Sequence, residues 1–182
     1  MNHTLSLVLV ILAFSPAAAA EEWSGKGEAG YKLVHKLHEI EGTSTVVQAR
    51  AVVDDSGLKV MARAPSASFD SGNGNRDAHA MEVIEGAKFP MVVVKGFAPG
   101  FKLPTDATPV KVELQGNVEL HGVAVPHALT LTMVRVDPTH FKASFDFPES
   151  LTAHKIEQPS LLFVAVDDDI RIRGHVELEK KP

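Results

Sequence analysis

The feature that most constrains the fold is a strict alternation of apolar and polar residues that recurs along the chain. It is clearest over residues 110–121, where apolar residues such as Val112 and Leu114 alternate with charged and amide residues. Successive side chains of a β-strand point to opposite faces of the sheet, so a period of two predicts a strand with one buried face. The same pattern recurs over residues 140–147 and 170–178.

Weaker alternation predicts five further strands, and turn-forming residues separate them. The weaker segments are residues 45–53, 58–64, 91–97, 125–136 and 161–166. Turn signals include Asp54–Gly57, Pro99-Gly100, His121-Gly122 and Asp137-Pro138. Solvated outer faces and short connections favour an antiparallel meander, and a long antiparallel sheet hides its edges by closing. The predicted fold is therefore all-β, an extended eight-stranded antiparallel β-barrel.

One segment departs from the strand pattern. Residues 75–86 carry helix-forming residues at helical spacing, with Asn75 as the expected N-cap and Gly86 as the expected stop. The sequence therefore predicts one short α-helix at about residues 76–86. Residues 148–156 fit either a second short helix or a loop.

The alternation also decides which side chains face the inside of such a barrel. Eight strands enclose a space just wide enough for side chains or one small ligand. The inward set is apolar, so it either fills a core or lines a tunnel for an apolar ligand. The candidate lining residues are Val112, Leu114, Val118, Leu120, Leu131, Met133, Phe141, Phe145, Phe147, Ile170, Ile172 and Val176.

The N-terminal residues 1–20 have the features of a signal peptide. An apolar run over residues 5–14 is followed by Ala18-Ala19-Ala20, a pattern that signal peptidases cleave. The sequence therefore predicts export to the periplasm, cleavage after Ala20 and no integral membrane segment in the mature chain. Residues 21–42 are interpreted as an N-terminal segment leading into a barrel domain at 43–182.

Composition excludes several functions. A net charge of −5 gives the chain no general attraction for nucleic acid. The absence of cysteine excludes disulfides, thiolate catalysis and cysteine-ligated metals. The chain has no GxSxG motif, and no spacing marks a nucleophile, so neither an enzyme nor a cofactor is predicted. The pairs His35-x-x-His38 and His121-x5-His127 leave a metal or haem site as a less favoured hypothesis.

Two motifs, in order, resemble those of the YceI-like family. Residues 69–79 resemble its (D/T)xGNxxRDxH turn into a helix, and residues 116–126 resemble its G(D/N)LxLHGVTxPV hairpin. Lys88-Phe89-Pro90 lies where that family has K(F/Y)P, and the resemblance covers roughly residues 40–178. It implies a lipocalin-like barrel, a periplasmic or secreted location, and binding of polyisoprenoids or other long-chain amphiphiles. The family's usual first strand and C-terminal motif are not matched.

The motif residues have two alternative interpretations. Asn75, Arg76, Asp77 and His79 could grip a polar headgroup at a helix N-terminus. In the favoured alternative they are structural: Arg76 pairs with Asp77, glycines adopt positive φ, and the helix is tied across a barrel end. His121 either presents its imidazole at the cavity mouth or, as favoured, stays solvated in a turn where Gly122 is left-handed.

The sequence thus predicts a non-catalytic periplasmic protein that binds or sequesters a long-chain isoprenoid or fatty amphiphile. Two alternatives stay open. One is a structural or stress-related barrel with a filled core that acts through a protein partner. The other is a histidine-coordinated metal or haem binder. The sequence does not indicate an oligomeric state.

Overall fold

Eight long strands close into one antiparallel barrel. The computed structural model describes residues 20–35, 38–158, 160–161, 164–165 and 167–182. The elements are β1 (Glu21–His35), β2 (His38–Asp54), β3 (Gly57–Pro65), α1 (Gly74–Val83), β4 (Met91–Pro99), β5 (Val110–Leu120), β6 (Val123–Asp137), β7 (His140–Ser150), β8 (Ser160–Leu161), β9 (Val164–Ala165) and β10 (Asp169–Lys180). The barrel order is β1-β10-β7-β6-β5-β4-β3-β2. The predicted all-β, eight-stranded barrel with one short helix is confirmed.

The composition of the barrel differs from the sequence prediction at one strand. The prediction counted residues 161–166 as a barrel strand, whereas the described residues of this segment form β8 and β9, which pair with each other in a separate two-stranded sheet. The eighth barrel strand is instead β1, which pairs with both β2 and β10. The sequence predicts a leading segment over residues 21–42, whose described residues, 21–35 and 38–42, form β1 and the start of β2. The expected signal peptide lies outside the described residues, apart from Ala20.

The helix begins two residues earlier and ends three residues earlier than predicted. Its N-cap is Asn73 rather than Asn75, because the Asn73 side chain accepts hydrogen bonds from the backbone N–H groups of Asn75 and Arg76. The helix gives way at Ile84, whose N–H still donates to Ala80, and Gly86 therefore lies beyond its end. Within the described residues, no helix is long and apolar enough to cross a bilayer.

The two ends of the barrel are closed differently. At the loop end lie the turns after β2 and β6 and the loop between β4 and β5, whose Phe101 and Leu103 pack on the main core. At the helix end lie α1, the β5–β6 turn and the segment that follows β7, which includes a short 3-10 helix at Thr152–His154. A second apolar cluster of Leu151, Ile156 and Ile170 packs there.

Candidate functional site

The predicted lining residues all lie on strands whose apolar positions face the barrel interior. Most are buried, namely Val112, Leu114, Val118, Met133, Phe141, Phe147, Ile170 and Val176. The partly buried members are Leu120, Leu131, Phe145 and Ile172. Leu120 and Ile170 belong to the second cluster at the helix end rather than to the main interior. The β5, β7 and β10 faces therefore meet inside the barrel as predicted.

The other half of the interior was missed from the sequence. It comes from β1 to β4 and contains mostly small side chains, in contrast to the large ones on β5 to β7. Its buried members are Trp23, Val47, Ala49, Ala51, Leu58, Ala64 and Ala98. The available signal was the alternation of Ala49 and Ala51 with Gln48 and Arg50, but alanine carries little hydrophobic contrast.

Trp23 marks the loop end of the interior. Its ring packs edge-on against Phe141, with centroids 4.9 Å apart, and is 3% exposed. Its indole N–H has no hydrogen-bond partner among the residues that the structure describes. It is also the only tryptophan of the chain, so its fluorescence reports on this part of the interior alone.

The turn before α1 is a structural tie, but not the one predicted. Arg76 and Asp77 do not pair with each other in the described structure; both hold Ser71. The Asp77 carboxylate accepts from the Ser71 N–H at 3.1 Å and from its hydroxyl, while Arg76 donates to the Ser71 hydroxyl at 2.8 Å and carbonyl at 2.7 Å. The backbone N–H of Asp70 donates to the Thr43 carbonyl of β2, and the Thr43 N–H donates to the Asp70 carbonyl. These two hydrogen bonds hold the turn against the barrel. Two nitrogens of the Arg76 guanidinium group therefore donate hydrogen bonds within the protein. Gly72 has the expected positive φ, of 76°.

Tyr31 connects this turn to the barrel interior. Its ring lies 5.9 Å from that of Phe69, and it is the cross-strand partner of Gly42, where any added Cβ would overlap the tyrosine ring. Burial and the nearby Asp77 charge raise the pKa of the Tyr31 hydroxyl, against a smaller opposing effect of Arg76. His79 takes no part in this arrangement: it is 60% exposed and lies 3.5 Å from Glu82.

His121 is not solvated as the favoured interpretation held. Its side chain is 16% exposed, and its Nδ1 donates to the His154 carbonyl at 3.0 Å. Its ring packs edge-on against Phe89, and its Nε2 lies 3.7 Å from Glu85. His121 and Gly122 both have positive φ, at 53° and 69°, which is the conformation of a tight two-residue hairpin turn. The left-handed geometry predicted for Gly122 is confirmed.

A buried polar cluster at the helix end was not predicted at all. Glu149, on the inner face of β7, is 5% exposed, and His154 is fully buried. Their Oε1 and Nε2 atoms lie 3.3 Å apart, while His154 Nδ1 donates to the Val123 carbonyl at 2.9 Å. His127 Nε2 lies 3.7 Å from Glu149 Oε2. Among the described residues, no three His, Asp or Glu side chains are placed to share a metal ion. The side chains of His35 and His38 lie outside the described part.

The fold and its apolar interior define a lipocalin-like barrel protein. Residues 24–178 match the YceI-like domain, and the chain therefore belongs to the YceI-like family. No curated protein sequence matches it.

Solved structures share the fold at low sequence identity. A polyisoprenoid-binding domain from Saccharophagus degradans, implicated in plant cell wall breakdown, is 14% identical with a TM-score of 0.74, over 87% of this chain and 98% of that one. BcnA of Burkholderia cenocepacia is 14% identical with a TM-score of 0.67, over 83% of this chain and 95% of that one. The Campylobacter jejuni YCEI protein is 15% identical with a TM-score of 0.57, over 99% of this chain and 94% of that one.

Proposed function

We propose that the protein binds one long-chain apolar ligand, a polyisoprenoid or a similar amphiphile, in its barrel interior. The observation that carries this proposal is a set of inward apolar residues near the middle of their strands that are only partly buried: Val60, Ala62, Val94, Leu131 and Phe145. An apolar chain against them would complete their burial, and each CH₂ group removed from water contributes about 0.8 kcal/mol.

The comparisons and the buried polar groups support binding rather than catalysis. One relative in fold is a polyisoprenoid-binding domain. The buried polar residues of the described structure are Ser44, Ser66, Glu149 and His154. Ser44 pairs with Ser68, Ser66 donates to the Phe89 carbonyl, and Glu149 lies against His154. The two serines are therefore hydrogen-bonded within the fold, as buried polar groups in packed regions usually are. Glu149 Oε2 and His154 Nε2 have no hydrogen-bond partner among the described residues, and the ion-pair contact between the two side chains is what offsets their burial.

The burial of the interior residues at the loop end favours a second candidate, a structural barrel that acts through a protein partner. There Leu58, Met133 and Phe141 are at most 1% exposed, so this part of the interior is filled by side chains. The proposed ligand would therefore occupy the middle of the barrel, where the partly buried residues lie.

Matched substitutions on β6 test the binding proposal. Leu131→Trp adds bulk on the inner face, and Thr132→Trp adds the same bulk at the next residue, on the other face of the strand. Uptake of cis-parinaric acid, a fluorescent long-chain fatty acid, should fall at least tenfold in affinity for Leu131→Trp and stay unchanged for Thr132→Trp. Equal affinities would contradict an interior site. A lower melting temperature for Leu131→Trp with no uptake by the wild type would favour the filled structural barrel.

We also propose that the protein works in the periplasm after removal of residues 1–20. The apolar run and the alanine motif before Glu21 support this. Mass spectrometry of the mature chain should give Glu21 as the first residue, and a chain that begins at Met1 in the cytoplasmic fraction would contradict it.

A further inference from the structure

Two neighbouring barrel strands, β6 and β7, are paired over only part of their length. Their ladder runs from the turn at Asp137 and His140 to the pair Leu131 and Phe145. Beyond that pair β6 continues to Val123 and β7 continues to Ser150, each still paired with its other neighbour. We call the facing segments, 123–130 and 146–150, the β6–β7 seam. The described residues form no backbone ladder across it.

The sequence of the seam disfavours a ladder. Pro126 lies on one edge and Pro148 on the other, and proline has no N–H to donate. Prolines in strands are typical of edges that stay unpaired, so the separation follows from the residues themselves.

Histidine side chains bridge the seam where the ladder is missing. His127 of β6 donates from Nε2 to the Pro148 carbonyl of β7 at 2.8 Å. His154 donates to the Val123 carbonyl of β6 at 2.9 Å, and its other nitrogen lies 3.3 Å from Glu149 of β7. Opening the seam therefore breaks these few side-chain contacts, whereas opening a paired edge would break a continuous ladder.

The apolar interior lies directly behind the seam. Phe147 packs edge-on against His127, with centroids 5.1 Å apart. The final pair of the ladder, Leu131 and Phe145, is only partly buried, while Met133 and Phe141, further along the paired part, are each 1% exposed. In the seam itself Leu129 and Phe147 are 2% and 6% exposed, so the closed seam covers the interior, and the partly buried apolar surface lies where the ladder ends, at Leu131 and Phe145.

We propose that the β6–β7 seam is a lateral portal through which the apolar ligand enters and leaves the barrel, and that the side-chain contacts of His127 and His154 hold this portal closed. This inference rests on the proposed function. Glu149 on β7 contacts both histidines, and the His121 imidazole donates to the His154 carbonyl. The next charged groups are Glu85, which lies beside His121, and Asp168, which accepts hydrogen bonds from Ser150 and Thr152.

Cross-linking tests the portal cleanly because the chain has no cysteine of its own. Ala128→Cys with Pro148→Cys places one thiol on each edge of the seam, at exposed positions. Thr132→Cys with Ser144→Cys is the matched control, because those residues are already cross-strand partners on the same two strands. A short bis-methanethiosulfonate reagent joins each pair and is removed by dithiothreitol.

The measurement is the rate of cis-parinaric acid uptake by each protein before joining, after joining and after reduction. We expect joining across the seam to slow uptake at least tenfold, reduction to restore it, and the control to match the wild type throughout. His127→Phe, which keeps the ring but removes the donor, should speed uptake and release severalfold. An unchanged rate in the joined seam protein would overturn the portal and leave the binding proposal standing. A wild type that takes up no fatty acid would overturn both.

Discussion

Glu149 and His154 form an ion pair inside the helix end of the barrel, with Oε1 and Nε2 3.3 Å apart. The two residues are 5% and 0% exposed, so both charges are removed from water. His154 also donates to the Val123 carbonyl, and the His121 imidazole donates to the His154 carbonyl. The pair therefore joins β7, the β5–β6 turn and the segment after β7. Such a pair stabilises the fold only while both partners are present, because either charge alone would be buried without compensation.

Removal of one partner should be more damaging than removal of both. We expect Glu149→Ala or His154→Ala to lower the free energy of unfolding by about 3–5 kcal/mol, and the double replacement Glu149→Met with His154→Leu to cost clearly less. Glu157→Ala is the control, since Glu157 is exposed nearby and should change stability by less than about 0.5 kcal/mol. Urea unfolding measures all of these variants. A double variant as unstable as the sum of the single ones would show that the two groups act independently.

The same pair predicts a pH dependence. Burial raises the pKa of the Glu149 carboxyl, but His154 and the Ser150 N–H outweigh burial and hold the pKa below its usual value of 4.5. Burial lowers the pKa of His154, but Glu149 and the Val123 carbonyl outweigh burial and raise the pKa above its usual 6.5. The Glu149 contribution is therefore present above about pH 4.5 and is lost as the pH falls through its lowered folded pKa. The His154 contribution is present below about pH 6.5 and is lost as the pH rises through its raised folded pKa.

Comparison with the apolar double variant isolates this effect from other titrating groups. The stability of the wild type relative to Glu149→Met with His154→Leu should be greatest between about pH 4.5 and 6.5 and should decline on both sides. Thermal unfolding across the pH range measures the difference. A difference that does not vary with pH would contradict an ionised pair.

Asp77 and His79 should differ in their effect on stability, although both belong to the same motif. Asp77 accepts two hydrogen bonds from Ser71, so Asp77→Ala should lower the free energy of unfolding by about 1–3 kcal/mol. The His79 side chain is 60% exposed, so His79→Ala should change the free energy of unfolding by less than about 0.5 kcal/mol. The melting temperature and lipid uptake of each variant decide between the two interpretations of the motif. If Asp77→Ala kept the melting temperature but abolished uptake, the turn would be a headgroup site instead.

Two glycines with positive φ offer a test of the packing around the β5–β6 turn. At Gly72 nothing lies within 4 Å of an added Cβ, so Gly72→Ala should cost only the conformational strain of about 1 kcal/mol. At Gly122 the added Cβ would lie 2.3 Å from the Phe89 ring, so Gly122→Ala should cost a further ~1–3 kcal/mol. Chemical denaturation of both variants gives the comparison, and equal losses would show that Phe89 does not pack on this turn.

The strands that the alternation predicted most clearly are those whose inward side chains are large. Val112, Leu114 and Phe141 contrast sharply with their polar neighbours, so β5 and β7 were evident. Strand β1 was hidden because Gly25 and Gly27 hold inward positions. These glycines are required by packing, since an added Cβ at Gly25 would lie 1.6 Å from the Glu177 carbonyl of β10.

The polar cluster at the helix end could not be predicted for a different reason. Glu149 and His154 meet only because the chain makes a 3-10 turn after Leu151 and Lys155 adopts a positive φ of 59°. Glu149 continues the inward alternation of Phe145 and Phe147, but the predicted strand ended at residue 147, so its burial was not expected. His127 lies in the part of β6 that forms no ladder with β7 among the described residues, so strand pairing did not indicate its contact with Glu149 either. These contacts depend on the closed barrel and therefore follow from the tertiary structure alone.

Native mass spectrometry of the protein, purified without added lipid and then mixed with a polyisoprenoid alcohol, tests the central claim most directly. We predict a complex of one apolar molecule per chain that is weakened by Leu131→Trp and unaffected by Thr132→Trp. The apo mass alone, both as purified and with the alcohol in excess, would contradict a ligand-binding interior and leave the structural barrel as the account of this protein.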